Sequence, residues 1–320
     1  MPQISIARLF EDNREKLGLT WEAGKLGGGK ILDSELIGQS TKGLIGHLNF
    51  IHPNWIQVLS HSETDYLNNL DAAHLQEALQ NLSAGGMACM FVAGSEAPPP
   101  VLKNLADATA TPLFGTTLSS LHLMWMLRPY LARMLANPTT LHGVFLDVLG
   151  MGVLITGDSG VGKSELWLEL ISRGNGLVAD DIVELYRVGP ETLEARCPPV
   201  LRDFLEVRGL GVLNIRTIFG ETAVRPRKNL KLIVHLEKPT GPDLTRFERL
   251  PLNASSEEVL GVEVRKVIIP VAAGRNLAVL VEAAVRNYVL QLRGIDSTQE
   301  FLKRHEQLMA SAAGEEPGDF

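Results

Sequence analysis

The sequence predicts an α/β protein of two domains, a smaller α/β domain followed by a larger one in which strands and helices alternate. Its length of 320 residues exceeds the size at which one hydrophobic core usually stops growing. Its 45% of hydrophobic residues is a globular composition that allows both domains to bury sizeable cores. From residue 139 to about residue 308, short apolar runs alternate with helical patterns. We therefore place the domains at residues 1–134 and 135–320.

The smaller domain combines short helical and extended segments. The spacing of apolar residues predicts a helix over Ile4–Leu17, a half-buried segment that begins at Leu44–Phe50, and a strand over Met87–Ala93. A helical stripe over Leu121–Leu135 closes the domain, and Pro129 inside it is expected to kink or divide that helix. No residue pattern here points to catalysis, so the role of this domain stays open.

The larger domain follows a strand and helix alternation that is typical of nucleotide-binding α/β proteins. The elements expected from periodicity are extended segments over Val144–Leu149, Gly152–Thr156, Leu177–Tyr186, Leu230–Leu236 and Val262–Val271, and helices over Lys163–Arg173 and Asn276–Leu292. A short buried strand therefore precedes, and a helix follows, the pattern described next.

Between that strand and that helix lies a complete G-x-x-x-x-G-K-S pattern. It consists of Gly157, Asp158, Ser159, Gly160, Val161, Gly162, Lys163 and Ser164. A loop that wraps a polyphosphate aims several backbone N–H groups inward, and a Cβ at the glycines would obstruct this. Lys163 is expected to reach the β- and γ-phosphates, and Ser164 to ligate Mg²⁺. Since the phosphates would lie at a helix N-terminus, the pattern predicts an enzyme that uses ATP or a related nucleotide.

Charge and composition narrow the classes of protein. The net charge of −7 argues against broad nucleic-acid binding, which usually needs a basic face. The two cysteines, Cys89 and Cys197, form no zinc-binding or disulfide pattern and are expected to be buried small hydrophobes. Residues 1–16 are too charged for a signal peptide, and no apolar run is long enough to span a membrane. We expect a cytoplasmic protein.

An acidic pair and a second, glycine-containing segment supply candidates for the remaining chemistry. Phosphoryl transfer requires a carboxylate that accepts the proton of the attacking hydroxyl. Asp180 and Asp181 follow an apolar strand pattern, and since adjacent strand residues point to opposite faces, only one is expected to face the phosphates. In Leu205–Asn214, two glycines suggest close backbone approach, and Glu206 and Arg208 share a face if the segment is extended. The alternatives are an acidic surface turn and an ordinary strand and turn.

Four segments of the larger domain resemble the bifunctional HPr kinase/phosphorylase family, in the same order and at similar spacing. They are Gly157–Ser164, Asp180-Asp181, Leu205–Asn214 and Ile269–Asn276. The phosphate-binding loop is generic, whereas the Glu-Val-Arg-Gly-Leu-Gly run inside Leu205–Asn214 is specific. The resemblance covers residues 139–305 well and reaches the smaller domain mainly at Gly46–Pro53.

This resemblance implies that the larger domain is a P-loop kinase domain of the phosphoenolpyruvate carboxykinase type. It implies an enzyme that phosphorylates a serine of the phosphocarrier protein HPr with ATP or pyrophosphate. The same enzyme would remove that phosphate with inorganic phosphate and release pyrophosphate. Mg²⁺ is the implied cofactor, HPr the implied partner, and a homohexamer the implied assembly.

The resemblance also assigns roles to individual residues. It implies that Asp181 accepts the proton of the serine hydroxyl and returns it in the reverse reaction, as microscopic reversibility requires. The other residues with implied roles are His142, an active-site histidine; Lys163, the phosphate-binding catalytic lysine; Ser164 and Glu206, metal ligands; and Arg249, a catalytic arginine. Taken without the family, an isolated histidine such as His142 is more often structural, and the alternative for Arg249 is a surface cation.

Three other functions compete with this interpretation. A regulatory GTPase would need an N-K-x-D guanine signature, which the sequence lacks. A kinase of a small metabolite would use the same phosphate loop and the same Asp181. A non-catalytic module gated by nucleotide would bind ATP without transferring phosphate, which an Asp181→Asn substitution would distinguish.

Overall fold

A computed structural model of the chain describes residues 2–49, 53–94, 97–158, 163–207, 209–238, 255–272 and 274–313. The chain divides into two compact units, Met1–Asn137 and Pro138–Phe320. Each unit combines helices with a β-sheet, which is the α/β organisation that the sequence predicted. Among the helices of the described residues, none is both long and apolar enough to cross a membrane.

The first unit is built on a five-stranded sheet. Its elements in chain order are β1 (Gln3–Ser5), α1 (Ile6–Leu17), β2 (Thr20–Ala23), β3 (Ile31–Asp33), α2 (Ser34–Gln39), β4 (Ile45–His47), β5 (Ile56–Leu59), α3 (His61–Asn69), α4 (Ala72–Ala84), β6 (Cys89–Ala93), α5 (Pro100–Ala108), β7 (Leu113–Thr116) and α6 (Ser120–Leu135). The strand order is β2-β7-β6-β5-β4, in which β4 to β7 are parallel and β2 is antiparallel to β7. Strands β1 and β3 form a separate antiparallel pair.

Aromatic side chains fill the core of this unit. Phe91 and Phe114 are fully buried, with ring centroids 5.0 Å apart, and Phe114 stacks on Phe10 at 5.2 Å. Helix α6 continues through Pro129, so of the two expected effects of this proline, division of the helix does not occur. Pro129 lies on the exposed side of α6 together with Trp125, one turn earlier, so water can hydrate the carbonyl whose hydrogen bond the proline removes.

The second unit is built on a nine-stranded sheet. Its elements are β8 (Pro138–His142), β9 (Val144–Val148), β10 (Met151–Gly157), α7 (Lys163–Ser172), β11 (Gly176–Ala179), β12 (Ile182–Gly189), β13 (Thr192–Arg196), β14 (Phe204–Val207), β15 (Gly211–Asn214), α8 (Ile215–Phe219), β16 (Arg227–Glu237), β17 (Ser255–Val259), β18 (Val262–Pro270), α9 (Leu277–Leu292) and α10 (Ser297–Ala313). The sheet order is β11-β9-β10-β16-β13-β12-β8, and β16 also pairs with β18, which pairs with β17. Strands β14 and β15 form a separate hairpin.

Strands β10, β16 and β18 run parallel at the centre of this sheet, so their carboxyl ends meet at one edge. Val153 and Ile155 of β10 pack in one core with Leu166 and Leu170 of α7, whereas Leu154 belongs to a second core. Alternation along the strand explains this division, because successive side chains point to opposite faces. The site described below lies at the carboxyl edge, where ligands usually bind in α/β sheets.

The segment Leu177–Tyr186, expected to be one extended element, is broken at Asp180 and Asp181. Strand β11 ends at Ala179 and pairs with β9, while β12 begins at Ile182 and pairs with β13 and β8. Asp181 has a φ of 60°, which a strand residue cannot adopt. The two aspartates therefore form a turn, the geometry that the sequence analysis held as an alternative.

Candidate active site

The phosphate-loop pattern connects the end of β10 to the start of α7, as the sequence predicted. A Cβ on Gly157 would lie 2.6 Å from the carbonyl oxygen of Leu236 on β16, so only glycine fits there without displacement of the backbone. Residues 159–162 lie outside the described residues, as do the Ser164 side chain and Arg249. The loop is therefore described at its two ends.

Lys163 is held at the entrance of the loop. Its Nζ donates to the carbonyl oxygen of Gly157 at 2.7 Å and to that of Asp158 at 2.6 Å. Burial lowers the pKa of Lys163, against an opposing attraction from Asp158. Neutral carbonyl oxygens thus hold the ammonium group at the end of the strand. An anionic phosphate can replace them, because it forms stronger hydrogen bonds with an ammonium group.

Asp180 lies on the buried side of the turn. Its Oδ2 accepts a hydrogen bond from the backbone N–H of Glu206 at 2.9 Å, which ties β14 to the end of β11. Burial has the largest influence on Asp180 and raises its pKa. Backbone hydrogen bonds lower this pKa, and repulsion from Asp181 and Glu206 raises it further. Burial also raises the pKa of the Cys197 thiol nearby to about 11, so this cysteine is a protonated, buried group as expected.

Asp181 lies on the exposed side of the same turn. The turn is closed by a hydrogen bond of 2.7 Å from Ile182 N–H to the Asp180 carbonyl oxygen, and Gly143 N–H donates to the Asp181 carbonyl oxygen at 3.2 Å. The Asp181 carboxylate lies 3.8 Å from Nδ1 of His142, and both side chains are more than three-quarters exposed. Two strand ends therefore present a carboxylate and an imidazole to solvent side by side.

Glu206 is carried by the β14–β15 hairpin. Its side chain is exposed, while its neighbours Leu205 and Val207 are buried. At the base of the hairpin Arg216 binds Asp203 through two hydrogen bonds of 2.8 and 3.3 Å. This ion pair closes the base of the hairpin, and the bond from Glu206 N–H to Asp180 ties the hairpin to the end of β11.

The residues present fit a hard divalent cation only in part. Within the described residues, no three His, Cys, Asp or Glu side chains converge as a closed metal site. Mg²⁺ is usually held by one or two carboxylates together with substrate phosphates and water, so an open site is the arrangement expected for a kinase. Glu206, whose N–H is bound to Asp180, carries an exposed carboxylate of the kind of oxygen donor that Mg²⁺ prefers.

Of the residues that the sequence indicated, the structure brings His142, Asp181 and Glu206 to the turn at Asp180. Lys163 is placed at the end of β10. A side chain that the sequence analysis did not single out lies there too. Nδ1 of His235 on β16 is 2.9 Å from the hydroxyl oxygen of Thr156. The available signal was weak: a polar residue near the end of the apolar Leu230–Leu236 segment.

The chain is similar to known proteins along nearly its whole length. The family model for the HPr serine kinase N terminus matches residues 4–131, and that for its C-terminal domain matches residues 133–305. These matches confirm the predicted P-loop kinase domain and the α/β domain before it. The chain is 61% identical to the HPr kinase/phosphorylase of Nitrosomonas europaea, over 98% of both chains, and 57% identical to that of Chromobacterium violaceum, over 97% of both. The solved HPr(Ser) kinase/phosphatase of Coxiella burnetii is 38% identical, with a TM-score of 0.45 over 51% of this chain and 98% of that one.

Proposed function

The chain belongs to the HPr serine kinase family, and we propose that it transfers a phosphoryl group from ATP or pyrophosphate to a serine of the phosphocarrier HPr. The serine Oγ attacks the terminal phosphorus, the bond from that phosphorus to the bridging oxygen breaks, and ADP or inorganic phosphate leaves. In reverse, an oxygen of inorganic phosphate attacks phosphoserine, the phosphorus–Oγ bond breaks, and pyrophosphate forms.

The geometry of Asp181 is the observation that carries this proposal. An acceptor for the serine proton must be exposed, ionised and close to the bound phosphates. Asp181 is exposed at the tip of a closed turn, whereas Asp180 is half-buried and already bound to Glu206 N–H. We therefore assign the proton transfer to Asp181 in both directions, and to His142 the role of a neighbour that polarises or orients this carboxylate.

Cations would stabilise the charge that develops on the transferred phosphoryl group. Lys163 leaves the carbonyl oxygens of Gly157 and Asp158 to bind the β- and γ-phosphates. Glu206 and Ser164 would hold Mg²⁺, which when bound neutralises charge on the phosphate oxygens. We assign Arg249 to the same task on the transferred group.

The test is transfer of labelled phosphate from ATP and Mg²⁺ to purified HPr, followed by excess inorganic phosphate. Acid-stable phosphoserine that disappears as pyrophosphate forms is the expected result. Asp65→Asn is a matched control for Asp181→Asn. Asp65 is an exposed carboxylate of the first unit that also lies beside a histidine, His61. Bound ATP without transfer to HPr would instead favour a kinase of a small metabolite.

Assembly is a separate part of the proposal. We propose a homohexamer, because this is the assembly that the family resemblance implies. Light scattering on the purified full chain measures the mass directly. A mass of one 34.9 kDa chain at assay concentration would contradict it.

A further inference from the structure

The contact between Thr156 and His235 joins two neighbouring parallel strands where the phosphate-binding loop begins. Thr156 Oγ1 and His235 Nδ1 share a hydrogen bond of 2.9 Å, whose direction depends on the imidazole tautomer. The two residues are register partners in the ladder between β10 and β16. Both are only partly buried, among strand residues that are otherwise largely apolar and buried.

Thr156 lies between the part of the active site that holds Lys163 and the part that holds Asp181. On one side it precedes Gly157, whose carbonyl oxygen accepts the hydrogen bond from Lys163 Nζ. On the other side, Gly143 approaches β10 so closely that a Cβ on it would lie 2.6 Å from the carbonyl oxygen of Ile155, the residue before Thr156. Gly143 in turn donates its N–H to the carbonyl oxygen of Asp181. A shift of Thr156 would therefore displace the lysine and the carboxylate relative to each other.

We propose that His235 is a positioning residue, which fixes Thr156 and thereby sets the geometry between Lys163 and Asp181. The proposal rests on the proposed function. His235 acts through its hydrogen bond and not by contact with substrate. Since small misplacements of reacting groups are costly in rate, loss of this bond is expected to lower kcat about tenfold. ATP affinity should fall as well, by about threefold, because Lys163 is anchored at the same strand end.

A purely structural role predicts a different pattern. If His235 only fills space, an apolar residue of similar size should replace it without a selective loss of kcat. Any effect of the variants should then appear in the melting temperature. If the hydrogen bond matters, the loss should depend on which atoms the replacement retains. An asparagine can place an amide near the position of Nδ1, whereas a leucine cannot.

The experiment therefore compares His235→Asn with His235→Leu, and Thr156→Ser with Thr156→Val, in the full chain. Each is assayed for transfer to HPr, for ATP affinity by calorimetry, and for melting temperature. We expect His235→Leu and Thr156→Val to share the losses in kcat and ATP affinity, with the KM for HPr unchanged. His235→Asn and Thr156→Ser should retain values close to those of the parent.

The double variant Thr156→Val/His235→Leu provides the decisive comparison. If the two residues act through one bond, the double variant should lose as much kcat and ATP affinity as either single variant. The two single losses should not multiply. Multiplied losses, or equal behaviour of His235→Asn and His235→Leu, would overturn the proposal. Failure of the parent to phosphorylate HPr would refute the proposed function alone, since the pattern of ATP affinities across the same variants still decides the role of His235.

Discussion

The two sides of the turn between β11 and β12 use the same residue type for opposite purposes. On the buried side, Asp180 accepts a hydrogen bond from Glu206 N–H, and burial raises its pKa. On the exposed side, Asp181 has its carboxylate in solvent beside His142. The peptide between them places one carboxylate in the framework and leaves the other free to react. Two identical side chains in adjacent positions thus have different roles because their environments differ.

The backbone makes this division possible. Asp181 has a φ of 60°, and its carbonyl oxygen is bound by Gly143 N–H. Left-handed backbone outside glycine is uncommon, although aspartate adopts it more readily than most residues. Strained conformations persist where the surrounding structure enforces them, and they concentrate at functional sites. The comparison therefore predicts that substitutions at neighbouring positions have very different consequences.

The largest effect is expected from Asp181→Asn. The substitution preserves size and removes the proton acceptor, so phosphoryl transfer should fall about 1,000-fold. The melting temperature should hardly change, because the side chain is exposed. Single-turnover transfer from ATP to HPr measures the rate, and calorimetry confirms that ATP still binds. Transfer within a few-fold of the parent would show that another group accepts the proton.

A smaller effect is expected from Asp180→Ala. The change removes the acceptor for Glu206 N–H and loosens the hairpin that carries the Glu206 side chain. Loss of such a supporting contact typically weakens metal binding about 10- to 100-fold. The Mg²⁺ concentration that gives half-maximal transfer measures this.

Asp180→Asn is the control for that prediction, since its amide oxygen can still accept the hydrogen bond. It should require nearly the same Mg²⁺ concentration as the parent. If the asparagine and alanine variants are equally impaired, the charge of Asp180 is needed, and Asp180 itself becomes the better candidate for a metal ligand.

His142→Ala should have a still smaller effect. The imidazole lies 3.8 Å from the Asp181 carboxylate, too far for a direct hydrogen bond. Its removal should therefore slow transfer about tenfold while leaving the melting temperature unchanged. Combination with Asp181→Asn should add little, because a histidine that works through this carboxylate loses its role when the carboxylate is gone. Losses that multiply in the double variant would indicate an independent role for His142.

The smallest effect is a change in the pH dependence of stability. The pKa of Asp180 is raised in the folded protein, so the folded state retains the proton longer than the unfolded state. The contribution of Asp180 to stability is fully present below the ordinary aspartate pKa and is lost as the pH rises through the raised value. Asp180→Asn should remove this decline. Urea denaturation across that acidic range tests it, and a decline of equal size in both proteins would contradict the assignment.

The sequence predicted some elements of the fold closely and others only in part. Helices α7 and α9 and strands β10, β16 and β18 lie within a few residues of their predicted bounds. Their apolar patterns are local and strongly periodic, and such patterns are the most reliable signal in a single sequence. The break at Asp180 and Asp181 was foreseen only as an alternative, because its turn depends on the pairing of β12 with β8, about forty residues earlier in the chain.

Local sequence alone predicted a phosphate-binding loop, because the Gly157–Ser164 pattern lies between a strand pattern and a helix pattern within a few residues. It also indicated the family, through the segment around Glu206. Only the tertiary structure decided which aspartate is buried and which is exposed, and it alone placed His235 beside Thr156. These depend on contacts between strands that are distant in sequence, and a side chain's environment is set by such contacts rather than by its own residue type.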